Sequence, residues 1–185
     1  METLAKFSNW KTLLPLFLIF ALFSFYIFPQ YQYRMTEAAN GPVAPLDTRF
    51  SYTVEEARGA FDKLGAAGRE VYREVVSRVD MVYPIVYGLL FMLVLAWILK
   101  KLTTSSSSWL FLALLPLVGV TFDYLENINT RKLLAQYPNL STASVSWGER
   151  MTQFKHIAGL LSVALAVILF IVVMIRKVTH KPATR

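Results

Sequence analysis

The sequence predicts an all-α polytopic membrane protein, with four transmembrane helices in an antiparallel bundle. Three observations carry that prediction. Apolar residues make up 55% of the chain and gather in four runs, Leu13–Phe28, Met81–Leu99, Trp109–Leu125 and Ile157–Ile175. Each run approaches the ~20 residues needed to cross a hydrocarbon core of roughly 30 Å. The segment between the second and third runs is only "KKLTTSSSSW" long, so those two helices must be antiparallel neighbours. A soluble four-helix bundle would show shorter, one-sided helices instead. The expected membrane helices span about 12–29, 81–99, 109–126 and 157–175, and residues 46–79 form an extracytoplasmic helical segment.

The first run follows Lys6 and Lys11, as a signal peptide would. It is longer than a usual signal core and ends in bulky aromatics, so an uncleaved first helix is expected. "ANGPVAPLD" is a turn-rich linker. Thr53 and Glu56 then form a capping box, each side chain satisfying a free donor at a helix start. Val54, Ala57, Phe61 and Leu64 recur at helical spacing, and Gly65 suits the position just past a helix end. A second short helix from Ala67 has an apolar side of Val71, Val75 and Val79 and feeds into the second membrane helix at Asp80. These two short helices are expected to lie on the membrane surface or to cap the bundle. Ser105–Ser107 make a polar turn, with Ser108 placed to cap a helix from Trp109. That third helix continues toward Tyr137, where Pro138 stops it. "NLSTASVSWGER" reads as loop, and Thr152 starts the last helix.

Charge sets the topology. The formal net charge is +7, and the basic residues cluster at helix ends, as anionic lipid surfaces favour. Lys6, Lys11, Lys100, Lys101, Arg176, Lys177, Lys181 and Arg185 all fall on the side that holds both termini. That side is expected to be cytoplasmic, in a cell inner membrane or plasma membrane. No nucleic-acid motif accompanies the charge, so no nucleic-acid partner is expected. The chain has no cysteine, which excludes disulfides, thiol catalysis and thiolate metal sites. Its two histidines are His156 and His180, the latter in a polar tail. No cofactor and no resident metal are expected.

The stretch "GVTFDYLENINTRKL" is the informative one. Asp123, Glu126, Asn127 and Thr130 are spaced to share one helix face, with Gly119 one turn earlier. The second membrane helix offers Asp80, Tyr83, Pro84 and Tyr87 at the same end, and the fourth brings Lys155 and His156. Arg131 lies one turn past Asn127. Tyrosine, lysine and arginine are common at the headgroup level, and Asp80 and Glu126 can be read as solvated or paired with Lys155 and Arg131. Asp123 differs, since Phe122, Tyr124 and Leu125 surround it about one turn inside the polar end. A buried carboxylate needs a partner, and Lys155, Tyr83 and Tyr87 are the candidates.

Two chemistries suit this cluster. Asp123 and Glu126 are the candidate catalytic residues of an acid–base pair, positioned by a tyrosine. Alternatively, the carboxylates and Asn127 hold a divalent cation for a phosphate-bearing lipid, contacted by Arg131 and Lys155. Asp80, Tyr83, Tyr87, Asn127, Arg131 and Lys155 are the candidate ligand-binding residues. No paired Asp-rich prenyl-transfer motif, nucleophile elbow or Gly-rich phosphate loop is present.

"LDTRFSYTVEEARGAFDKLGAAGREVY", "DMVYPIVY", "LPLVGVTFDYLENINTRKLLAQYP" and "TQFKHI" together carry a resemblance. With Gly68, Arg69, Tyr72, Asp80, Tyr83, Pro84, Tyr87, Asp123, Glu126, Asn127, Tyr137, Pro138 and Lys155, the chain resembles a group of small four-helix bacterial membrane proteins of unknown function. The resemblance implies the architecture and no catalytic role. The expected function is binding of a membrane lipid, or of a membrane-protein partner, through the polar cluster. The alternatives are a membrane-embedded enzyme acting on a lipid or isoprenoid, and a small transporter. A transporter would call for charges at mid-membrane, where the runs carry none.

Overall fold

The computed structural model of the chain describes residues 2–39, 41–103 and 108–179. The polar turn at 105–107 and the tail residues His180, Lys181 and Arg185 lie outside the described residues. The protein is an all-α polytopic membrane protein, with no strand among the described residues. A short helix, α1, spans Glu2–Phe7. Four long helices follow, each long and apolar enough to cross a membrane: α2 (Trp10–Ala38), α3 (Val54–Leu99), α4 (Ser108–Gln136) and α5 (Thr142–Thr179).

The helices outrun the apolar segments that announce them. Past Phe28, α2 continues through polar residues to Ala38, after a π turn at Phe23–Ile27. Its polar extension is held to α3 at Glu74, which accepts 3.0 Å hydrogen bonds from both Tyr31 Oη and Arg34 Nη2. In α3, the expected capping box of Thr53 and Glu56 is present. Gly65 interrupts the helix at φ 62°, a left-handed conformation that glycine adopts without a Cβ clash. Arg69 Nη1 donates a 2.8 Å bond to the Phe61 carbonyl, one of the acceptors that this break leaves free. After a π turn at Val75–Val79, α3 runs unbroken through Asp80 into its apolar half.

Two expectations are corrected. The last helix begins at Thr142, ten residues before Thr152, and is 38 residues long. "TASVSWGER" lacks an apolar stripe, but Ser141 Oγ accepts the Ser144 N–H as a cap, and Val145 is buried. Tertiary burial therefore decides what local propensity leaves open. The entry to α4 is also not α-helical, since Ser108–Leu114 is a 3-10 helix that becomes α at Leu115.

Packing is sequential. α2 lies on α3, α3 on α4, and α4 most extensively on α5. Two buried clusters close the ends. At the end holding α1, Ala5 packs with Leu95, Ala96, Leu99, Leu110 and Ala113. Lys100 Nζ secures it by donating to the carbonyls of Ala5 (2.9 Å) and Ser8 (3.1 Å). At the polar end, Leu46, Tyr52, Phe61, Leu64 and Tyr72 pack on Leu133 and Val145. The segment between α2 and the middle of α3 therefore caps the bundle.

Tyr52 tests the tightness of that cap. Its ring is buried, and its hydroxyl makes no well-formed hydrogen bond among the described residues, with Thr152 the polar side chain that bears on it. That hydroxyl sits 2.8 Å from the Cβ that Gly148 lacks. Burial pushes the phenol up to about 12. Tyr52→Phe removes that buried hydroxyl and keeps the ring. Its unfolding free energy in mixed micelles is expected to stay within about 1 kcal/mol of the parent or to rise. A larger loss would mean that the hydroxyl has a partner.

Candidate functional site

The site is built on α4. Asp123, Glu126, Asn127 and Thr130 form one buried face, as their spacing requires. Glu126 is fully buried. Its Oε1 accepts a 2.5 Å bond from Thr152 Oγ1, and its Oε2 pairs with Lys155 Nζ. Lys155 also lies 3.5 Å from Asp123 Oδ1 and donates to the backbone carbonyl of Asp47 at 3.3 Å. The ammonium is thus hydrogen-bonded to Glu126 and the Asp47 carbonyl and ion-paired with Asp123. Asp123 Oδ2 accepts from Tyr87 Oη at 2.9 Å, and Asn127 Nδ2 approaches Oδ1 at 3.4 Å.

The backbone of α3 is drawn into the same network. Pro84 has no N–H, so the carbonyl four residues earlier, on Asp80, loses its helical donor. Asn127 Nδ2 donates to that carbonyl at 3.0 Å. One residue on, the Met81 carbonyl accepts from Tyr124 Oη at 2.8 Å. The donor missing from one helix is thus replaced by a side chain of the next. The close approach of α5 to α4 rests on Gly119, where an added Cβ would lie 3.7 Å from Ala158 Cβ.

The remaining predicted residues divide. Tyr83 faces α2: its hydroxyl is 3.2 Å from Ser24 Oγ, and its ring packs with Phe20, Phe23, Phe28 and Tyr87. Asp80 is buried, and its carboxylate makes no hydrogen bond or ion pair among the described residues. Arg131 is exposed and joins no hydrogen bond or ion pair there. Asp47 and Thr152 are the additions that sequence reasoning missed. Asp47 sits in a 3-10 turn, Leu46–Thr48, and its carboxylate accepts from Tyr72 Oη at 2.8 Å. In the sequence, the "LDTRF" segment is the only signal for Asp47.

Beside this network lies a cavity of about 310 Å³ between α3 and α5, with α4 as its floor. Tyr83, Tyr87, Asp123, Lys155 and His156 line its polar end. Phe91, Pro116, Gly159 and Val163 line the apolar remainder. His156 is stacked on Phe50 of the cap, with ring centroids 6.2 Å apart. Among the described residues α2 packs on α3, where its Phe20, Phe23 and Phe28 meet Tyr83, and makes no extensive contact with α5. Among the described residues, no three Asp, Glu or His side chains gather as cation ligands. Comparison with family models, with curated proteins and with solved structures finds no match.

Proposed function

We propose that the protein binds a membrane lipid in the cavity between α3 and α5. The head group lies against Asp123, Tyr87 and His156, and the chain runs along Phe91, Pro116 and Val163. The proposal places this polar end on the extracytoplasmic side of a bacterial-type inner membrane. What supports the reading is one observation: a cavity of about 310 Å³ between α3 and α5 that is polar at one end and apolar along the rest. Pockets with a few convergent polar groups on apolar walls are the usual form of a small-molecule site. The ion pairs have a structural part in it, since they hold the polar end in shape.

Val163→Trp tests the reading. Val163 is 48% exposed, so a larger side chain there fills the cavity without entering a sealed core. Native mass spectrometry of the purified protein is expected to show a retained lipid in the parent and none in the variant, at equal helicity. Equal retention would contradict the assignment. A recovered lipid with a cleaved or altered head group would move the reading from binding to turnover.

A further inference from the structure

We infer that the head group this cavity accepts is a cation, an amine or quaternary ammonium on an apolar chain, and not a phosphate. The inference rests on the binding reading above and specifies its ligand class. Three observations point the same way. First, Lys155 is already engaged: it donates to Glu126 and to the Asp47 carbonyl and is ion-paired with Asp123. Second, Lys155 is shared: Asp123, which lines the cavity, and Glu126 behind it both pair with this one ammonium. An anion entering the cavity would meet the Asp123 carboxylate in a medium that screens poorly. Third, one wall is aromatic. Tyr83, Tyr87 and Phe91 follow one another along α3, with centroids 5.3 Å and 6.5 Å apart, and all three line the cavity. Aromatic faces beside a carboxylate are the surroundings that attract ammonium ligands. Arg131, which would serve a phosphate, is exposed and unengaged among the described residues.

The net charge of +7 pulls the other way, so a cation preference cannot come from the overall field of the protein. Three probes with one tail are compared: octyltrimethylammonium, octyl phosphate and octanol. Each is titrated into the full-length protein in neutral maltoside micelles, and affinity is read from the rise in Tm. The ammonium probe is expected to bind at least about tenfold more tightly than either other probe. Val163→Trp should abolish binding of all three, and Asp123→Asn should remove the ammonium preference. Should Asp123→Asn fail to fold, Tyr87→Leu provides the second arm, because loss of the aromatic face at the polar end should weaken the ammonium probe more than the other two. If octyl phosphate or octanol binds as tightly as the ammonium, the ligand class is wrong while the cavity stands. If binding of all three is indifferent to Val163→Trp, the cavity assignment fails as well.

Discussion

Lys155→Met is expected to destabilise the protein by about 3–5 kcal/mol, the range for breaking a buried ion pair from one side. The substitution preserves much of the side-chain volume, so the loss is electrostatic. It leaves Glu126, fully buried, and Asp123 without their shared cation. It also leaves the Asp47 carbonyl without its donor from α5. Equilibrium unfolding in mixed micelles reads the loss. Combining Lys155→Met with Glu126→Gln should recover a large part of it, because the neutral amide no longer needs a cation. Lys132→Met, at an exposed position without an ion pair among the described residues, should stay within about 0.5 kcal/mol. Equal effects at 132 and 155 would mean that Lys155 is solvated.

Asn127→Ala is expected to cost about 1–3 kcal/mol, the penalty for leaving a buried acceptor unpaired. Hydrogen bonds inside membrane proteins average nearer the low end of that range. The informative result is the coupling with position 84. The Asp80 carbonyl depends on Asn127 because Pro84 has no N–H to give it. Pro84→Ala supplies that N–H, so the double variant should lose less than Asn127→Ala alone. Strict additivity in the double-mutant cycle would show that Asn127 serves Asp123 rather than the proline-interrupted backbone.

Part of this site is legible in the sequence for a definite physical reason. A helix face repeats every 3.6 residues, so spacing alone places Asp123, Glu126, Asn127 and Thr130 together. A carboxylate flanked by Phe122, Tyr124 and Leu125 must find a partner, and Lys155 and Tyr87 are the partners it finds. The same periodicity accounts for Arg131. At about 100° per residue it falls roughly 80° around the helix from Asp123, off the packed face. Its one-turn spacing from Asn127 is real but insufficient. Asp47 lies beyond periodic reasoning altogether. It reaches the site through a 3-10 turn in a linker, and nothing in local spacing fixes where such a turn docks. The start of α5 at Thr142 is hidden for a related reason. Val145 and Gly148 are buried against the cap formed by residues 43–72, a contact that no window around them records. The compensation of Pro84 by Asn127 is likewise a property of two helices in register, and neither helix shows it alone.

The register of α5 against α4 is the claim on which the ion pairs and the cavity both depend. Gly119 is one turn from Asp123 on α4, and Ala158 is three residues from Lys155 on α5. The Cβ that Gly119 lacks would lie 3.7 Å from Ala158 Cβ, within the separation that a disulfide spans. The parent chain contains no cysteine, so an engineered pair reports without background. Gly119→Cys combined with Ala158→Cys is expected to cross-link under mild oxidation in membranes. Gly119→Cys with Leu160→Cys, at a position 70% exposed on the outer face of α5, should remain reduced. Cross-linking at 160 and not at 158 would put Lys155 on the wrong side of its helix and contradict the account.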